Sequence, residues 1–251
     1  MKLCIFTYPR SGSTSFAEAV YWHQIRAGTI TRESVPFLDE PFGHHHHQIL
    51  AEGPNGKLRH IQLPDHVRVQ RSQNRRKRWA LFTKHFADDY FIKMMARDLL
   101  IPRIGHVMPK LYPCYSIERR NVLSAFVSGL VAQHHNLWNL DKRHDKPVYE
   151  RFVATPRNMR IIGTNYTWFY NRVGRGMQVR GRFFYEDVIE DPIPALKEMG
   201  MYHEGVDVSM RYQKLASFNE KLSLIINVGE VIDFYRKTIA PVAPHAEANS
   251  L

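Results

Sequence analysis

The sequence predicts an α/β protein in which a central, mainly parallel sheet is flanked by helices. Three segments indicate this class, because each is a short apolar run followed by a helical pattern of apolar residues. The runs are Lys2 to Tyr8, Cys114 to Ile117 and Val179 to Tyr185. Strands that alternate with helices in this way are typical of parallel sheets that are covered on both faces.

Length and composition fit one soluble domain. The chain has 251 residues, and we expect a single domain over 1–251 with loop insertions near 28–78 and 134–156. A formal net charge of +11 favours an anionic ligand without choosing its kind. Cys4 and Cys114 are the only cysteines, which favours a reducing compartment, and no apolar run reaches the length of a membrane span. These features predict a cytoplasmic protein that has no membrane partner.

The junction after the first strand has the composition of an anion-binding site. Pro9 cannot donate a ladder hydrogen bond, so it ends the strand, and Arg10 to Gly12 form a turn. Ser13 or Thr14 is predicted to cap the helix that follows. Backbone N–H groups, the positive end of a helix dipole, hydroxyls and a guanidinium therefore converge at one place.

The residues of this turn exclude two familiar nucleotide-binding loops and resemble a third. The glycine spacing and the lysine of a Walker A loop are missing, and so is the Rossmann glycine pattern. Tyr8 to Thr14, YPRSGST, resembles the 5′-phosphosulfate loop of the sulfotransferases, which bind 3′-phosphoadenosine 5′-phosphosulfate (PAPS). Many members have lysine where Arg10 stands, whereas the bacterial trehalose-type branch commonly has Pro-Arg-Ser-Gly-Ser/Thr-Thr. The resemblance implies donor contacts by Arg10, Ser11, Gly12, Ser13 and Thr14.

Two further segments resemble the same family, in the same order along the chain. In sulfotransferases an arginine ends the strand before the 3′-phosphate and a serine follows eight residues later, a spacing shared by Arg120 and Ser128. The trehalose-type branch favours an arginine pair here, so either Arg119 or Arg120 is expected to hold the phosphate. Tyr185 to Val188, YEDV, resembles a Tyr-Glu-Asp-Leu segment to which we assign a structural role. Together the matches imply a P-loop-like sulfotransferase fold.

The resemblance also implies catalytic residues. In the trehalose-type branch the base is thought to be a glutamate near a phenylalanine, a few tens of residues past the anion loop, and Glu40 is at a comparable distance. Lys84 and His85 resemble the Lys-Thr-His segment of the cytosolic branch, without its threonine; there the lysine contacts the transferring group and the histidine is the base. Glu40 is therefore the first candidate base and His85 the second. Arg211 or Lys214 is expected to replace a late Arg-Lys-Gly loop that the chain lacks.

Other segments have structural interpretations. Gly28 to Asp65 is rich in proline, glycine and histidine and is predicted to form loop and short helix, and its His44 to His47 run favours a solvated loop over a metal site. Trp79 to His85 is predicted to be a strand. Ala87 to Leu100 is predicted to be a helix with an apolar face.

The expected function is transfer of a sulfuryl group from PAPS to a hydroxyl or amine of a polar or carbohydrate acceptor, without a metal. One alternative is a cysteine-dependent phosphatase that uses Cys4 and Arg10, although the intervening residues are bulky and end in Pro9, which has no N–H. A second alternative is a nucleic-acid-binding protein that uses the basic run Arg68 to Arg78. A third is a sulfotransferase-like protein without catalytic activity. Nucleic acid is the less favoured partner, because the run lacks interleaved aromatic residues. The acceptor and the oligomeric state stay open.

Overall fold

A central sheet organises the computed structural model of this chain. Its described strands are β1 Leu3–Thr7, β2 Phe37–Asp39, β3 Gln48–Glu52, β4 Leu58–Gln62, β5 Phe91–Met95, β6 Cys114–Glu118 and β7 Gly181–Phe184. They lie in the order β4-β3-β2-β5-β1-β6-β7. The structure describes residues 1–8, 10–32, 34–35, 37–39, 48–52, 58–62, 89–95, 104–135, 149–208 and 217–243.

The sheet is mainly parallel, as the sequence predicts. Strands β2, β5, β1, β6 and β7 pair in parallel, and β3 and β4 extend one edge in antiparallel fashion. Every residue of β1, β5 and β6 is buried. Strands that are buried on both faces consist of continuous apolar runs without alternation. The α/β class with a mainly parallel sheet is therefore confirmed.

Helices cover both faces of the sheet. Because successive residues of a strand point to opposite faces, Leu3 and Ile5 pack with α1 while Cys4 and Phe6 pack with α3 and α4. The described helices are α1 Ser13–Arg26, α2 Ile104–Leu111, α3 Val122–His134, α4 Pro156–Gly176, α5 Tyr185–Glu190, α6 Ile193–Glu198, α7 Phe218–Ser223 and α8 Val228–Thr238.

The segment from Ala87 to Leu100 corrects a prediction, because its described core is a strand and not a helix. Phe91–Met95 forms β5 between β1 and β2. Phe91 belongs to the core on the α1 side of the sheet, whereas Ile92 and Met94 belong to the core on the other side. Where every residue is buried, apolar residues recur at every spacing, so a helical spacing carries no information.

The segment from Gly28 to Asp65 also departs from the loop and short helix that its composition predicts. Its described residues include β2, β3 and β4, and β2 belongs to the parallel part of the sheet. Strands of three to five residues are too short to show a clear alternation of apolar and polar residues. The abundance of proline and glycine therefore concealed them.

The last turn of α1 is fastened to the segment 201–208 by a buried histidine. The backbone N–H of His203 donates to His23 Nε2 over 3.0 Å, and His23 Nδ1 lies 3.3 Å from the carbonyl oxygen of Asp207. Arg26 adds an ion pair with Asp207 at 3.0 Å. Acceptance at Nε2 requires a neutral imidazole with its proton on Nδ1. Burial accordingly lowers the pKa of His23.

We expect the stability of the protein to fall as the pH drops below about 6.5. The pKa of His23 is lower in the folded chain than in the unfolded chain, so the unfolded chain binds the proton first and unfolding becomes easier. The loss continues until the pH reaches the lower folded-state pKa. His23→Gln keeps an acceptor for the His203 N–H but does not titrate, so urea unfolding from about pH 8 to about pH 5 should give a flatter profile. His106→Gln, at an exposed position, should leave the profile unchanged. An equal change in both variants would contradict this assignment.

Candidate functional site

The candidate site lies at the carboxyl ends of β1 and β6, which are neighbours in the sheet. The chain leaves β1 toward β2 on one side and leaves β6 toward β7 on the other side. Loops that leave neighbouring strands in opposite directions open a crevice, and α/β proteins bind their ligands in such crevices. The predicted anion loop follows β1 and the predicted arginine pair follows β6, so both border this crevice.

The turn after β1 has an unusual backbone. Arg10 has a φ of 65° and Gly12 a φ of 80°, and both values lie in the left-handed region that residues other than glycine seldom adopt. Gly12 is the N-cap of α1, and no side chain caps this helix. The prediction that Ser13 or Thr14 caps it is therefore wrong, because the left-handed glycine turns the chain directly into the helix. The first N–H groups of α1 have no partner inside the helix, an arrangement that favours a nearby anion.

Ser11 shapes the loop from within. Its N–H donates to the carbonyl oxygen of Tyr8 over 3.3 Å, and its side-chain hydroxyl is hydrogen-bonded to that of Thr7. Ser11 is fully buried. Its described polar contacts thus lie within the loop, which makes Ser11 a support for the predicted anion site.

Arg10 connects the two predicted halves of the site. Its Nε donates to Ser128 Oγ over 3.1 Å, and Lys221 Nζ donates to the same oxygen over 3.2 Å. Two cationic side chains therefore meet at one neutral hydroxyl, that of Ser128. Burial lowers the pKa of Arg10, which shows that its charge is held in a poorly solvated place.

Arg119 is the inner member of the arginine pair. Its Nε donates to the carbonyl oxygen of Arg10 over 3.3 Å. Its guanidinium carbon lies 3.7 Å from the centre of the Tyr185 ring, and Nη1 lies 3.6 Å from Glu186 Oε1. The side chain is only 19% exposed. The ring and the carboxylate hold Arg119 flat beside the anion loop, where its planar group suits a phosphate.

Arg120 is the outer member of the pair, and its side chain is 40% exposed. Both terminal nitrogens of its guanidinium contact the Asp187 carboxylate, with 2.7 Å between Nη2 and Oδ2. These hydrogen bonds lower the pKa of Asp187. The guanidinium carbon also lies 4.4 Å from the centre of the Phe184 ring. A two-point ion pair and a ring contact hold the Arg120 side chain against α5, at one side of the site.

Tyr185 joins the anion loop to Arg119. A Cβ atom on Gly12 would lie 1.8 Å from Tyr185 Cδ2, a distance that no real contact allows. The same ring carries the guanidinium of Arg119 on its face. The segment Tyr185 to Val188 therefore positions the loop and both arginines, which agrees with the structural role predicted for it.

Lys93 adds a positive charge that sequence reasoning missed. It lies in the middle of β5, is 2% exposed, and donates from Nζ to Thr14 Oγ1 over 2.6 Å. Lysine is seldom buried, because removing an ammonium group from water is costly. The charge lies under the first turn of α1. The available signal was a lysine inside the otherwise apolar run FIKMM.

Lys221 is the second basic residue that sequence reasoning missed. It belongs to α7, which begins with a capping box formed by Ser217 and Glu220. The sequence Ser-Phe-Asn-Glu is a recognisable signal for such a helix start. The contact with Ser128, however, joins residues 93 positions apart, and no local pattern predicts it.

Several predicted site residues lie outside the described part of the chain. Strand β2 ends at Asp39, at the same edge of the sheet as the ends of β1 and β6. The predictions outside the described residues concern Glu40, His44 to His47, Arg68 to Arg78, Trp79 to His85 with Lys84 and His85, Arg211 and Lys214.

Comparisons with known proteins add no family to these observations: no protein-family model matches the chain, and no curated protein matches it significantly. Among the described residues, no helix has the length and apolar character that crossing a membrane requires. Within the same residues, no group of three or more histidine, cysteine or acidic side chains is arranged to hold a metal ion.

Proposed function

We propose that the protein is a PAPS-dependent sulfotransferase with the P-loop-like fold of that family. The observation that carries the proposal is the hydrogen bond between Arg10 Nε and Ser128 Oγ. Two segments that resemble sulfotransferase motifs, 118 positions apart, meet at this bond in the crevice between β1 and β6. If either resemblance were due to chance, there would be no reason to expect the two segments to be in contact.

The two ends of the donor have separate partners in this arrangement. The 5′-phosphosulfate lies against Arg10 and the first turn of α1, where N–H groups and a helix dipole favour negative charge. The 3′-phosphate lies against Arg119, Ser128 and Lys221. We choose Arg119 over Arg120, because the Asp187 carboxylate already takes both arms of Arg120. Lys221 is therefore our candidate for the late basic contact that the sequence predicts for Arg211 or Lys214.

Sulfuryl transfer then follows from positioning and charge. The donor supplies a sulfuryl group whose bond to the bridging 5′-phosphate oxygen breaks as the acceptor oxygen or nitrogen bonds to sulfur. Arg10 and the N–H groups of α1 stabilise the negative charge that grows on the bridging oxygen. Lys93 raises the positive potential beneath the same turn through Thr14. Adenosine 3′,5′-bisphosphate is the second product.

A base takes the proton from the acceptor as the new bond forms. Glu40 is our first candidate, since it directly follows β2, whose carboxyl end lies at the same edge of the sheet as the anion loop. His85 is the second. Lys84 and Lys93 are the two candidates for the cation that contacts the transferring sulfuryl group. The basic character of the site favours a polar or carbohydrate acceptor over an apolar one.

The surroundings of Cys4 speak against the phosphatase alternative. A nucleophilic cysteine of that class must lie in the phosphate loop with a lowered pKa. Cys4 lies inside β1 with no exposed surface, and its backbone is in register with Cys114 of β6. A thiol at this place is a core residue, six positions away from Arg10.

The test of the proposal is transfer of ³⁵S from labelled PAPS to a panel of carbohydrate, phenolic and amine acceptors. We expect labelled product with at least one acceptor class, together with release of adenosine 3′,5′-bisphosphate. Failure of the folded protein to bind PAPS at all would reject the proposal. In that case phosphatase substrates and nucleic acid are the next ligands to test, the latter by its steep dependence on salt.

Lys221→Met is expected to weaken the binding of adenosine 3′,5′-bisphosphate about tenfold, since a charge-assisted contact with a phosphate is lost. Adenosine 5′-monophosphate, which lacks the 3′-phosphate, should bind the variant and the wild type alike. The matched control is Lys237→Met, because Lys237 is exposed and forms an ion pair with Asp233, one turn away on the same helix α8. Isothermal titration measures both ligands. Unchanged affinity of Lys221→Met for the bisphosphate would remove Lys221 from the site.

A further inference from the structure

A buried tyrosine hydroxyl joins the two arms of the candidate site. Tyr8 follows β1 directly and has no exposed surface. Its hydroxyl oxygen accepts the backbone N–H of Arg119 over 2.6 Å. The hydroxyl of Tyr170 donates to the same oxygen over 3.2 Å. Tyr8 thus ties the turn that carries Arg10 to the strand end that carries Arg119.

Three aromatic side chains of helix α4 pack against the Tyr8 ring. The ring centres of Tyr166, Phe169 and Tyr170 lie 4.7, 4.8 and 5.7 Å from that of Tyr8. Burial raises the pKa of Tyr8 well above its ordinary value, so the hydroxyl stays neutral at every physiological pH. The packed rings fix the position of the hydroxyl as well as that of the ring.

The hydroxyl of Tyr8 has a role that is separate from the packing of its ring. The packing contacts belong to ring carbons, and phenylalanine would keep them. The hydroxyl sets where the backbone of Arg119 lies relative to the anion loop. A second tie runs the other way, from Arg119 Nε to the carbonyl oxygen of Arg10, over 3.3 Å. Two hydrogen bonds between the same two segments define the distance between the charged groups that those segments carry.

We propose that the Tyr8 hydroxyl is a positioning group that sets the spacing between the two phosphate-binding arms, and with it the preference for a ligand with two phosphates over a ligand with one. This inference rests on the proposed function, because it takes the arms to bind the two ends of one nucleotide. A ligand that spans both arms gains from each only when their spacing matches its own. The affinity of a ligand that uses only one arm does not depend on this spacing.

The experiment compares Tyr8→Phe with Tyr21→Phe. Tyr21 is a matched control, since it is equally buried and its hydroxyl donates to the carbonyl oxygen of Val35 over 2.8 Å, away from the crevice. Isothermal titration gives the affinities for adenosine 3′,5′-bisphosphate, adenosine 5′-monophosphate and adenosine 3′-monophosphate. We expect Tyr8→Phe to weaken the bisphosphate about tenfold and either monophosphate less than about twofold, and Tyr21→Phe to change none of them. Equal weakening of all three ligands by Tyr8→Phe, or of none, overturns the inference.

A measurement without ligand separates this inference from the proposed function. Hydrogen exchange reports the protection of the Arg119 amide, whose acceptor is removed by Tyr8→Phe and kept by Tyr21→Phe. We expect faster exchange at Arg119 in Tyr8→Phe only. If the wild-type protein does not bind the bisphosphate, the proposed function fails, and the exchange at Arg119 then decides the positioning role. Exchange at the wild-type rate in Tyr8→Phe overturns it.

Discussion

Arg10→Met is expected to reduce sulfuryl transfer by about a hundredfold to a thousandfold, the cost of removing one aligned donor from a developing anion. Methionine keeps the unbranched apolar stem of the side chain and removes the charge and the hydrogen bond to Ser128. The effect on the rate should exceed the effect on donor binding, because charge on the bridging oxygen grows only as the sulfur bond breaks. Initial rates with PAPS, alongside titration with the bisphosphate, measure the two effects.

Two further variants make this prediction specific. Arg160→Met removes an exposed arginine from α4 and should behave like the wild type. Arg10→Lys restores the charge without the planar donor set, so it should recover part of the rate. Full activity in Arg10→Met would exclude Arg10 from the chemistry, whichever acceptor is used.

Gly12→Ala is expected to lower the free energy of unfolding by about 3 kcal/mol, the range seen when a well-packed site is overfilled and its backbone strained. The added methyl would lie 1.8 Å from Tyr185, so this ring must move, and the positive φ of 80° disfavours alanine by itself. Movement of Tyr185 also displaces the guanidinium of Arg119. Donor affinity should therefore fall together with stability.

The two causes can be separated with a second glycine. Gly28 also has a positive φ, of 70°, but a Cβ there would meet no atom within 4 Å. Gly28→Ala should therefore cost only about 1 kcal/mol, the conformational cost of a left-handed backbone for alanine. On a Tyr185→Ala background, Gly12→Ala should cost little more than Gly28→Ala does. Similar losses for Gly12→Ala and Gly28→Ala in the wild-type background would contradict the packing account.

The sequence was informative where the chemistry is local. The turn from Arg10 to Thr14, its strand and its helix are neighbours along the chain, so their residue types alone indicate an anion site. Strand β6 also follows from a local apolar run. Between β6 and α3, the Asn121 side chain accepts the N–H of Ser124 over 2.7 Å, as a capping residue should.

The missed features depend on distant contacts. Lys93 reaches Thr14 across 79 positions and Lys221 reaches Ser128 across 93 positions. A lysine in an apolar run and a lysine in a polar helix have no common pattern, and only the fold brings them to the anion loop. The choice between Arg119 and Arg120 depends on the fold as well, because the carboxylate that engages Arg120 lies in α5.

The most direct test of the account is isothermal titration of the wild-type protein with adenosine 3′,5′-bisphosphate and with adenosine 5′-monophosphate. In the proposed arrangement each phosphate has its own cationic groups, so we expect micromolar affinity for the bisphosphate and a loss of at least about thirtyfold without the 3′-phosphate. Arg119→Met should reproduce that loss, whereas Arg120→Met should not. Absence of binding in the folded protein, or equal affinity for the two nucleotides, would contradict the assignment of this crevice to PAPS.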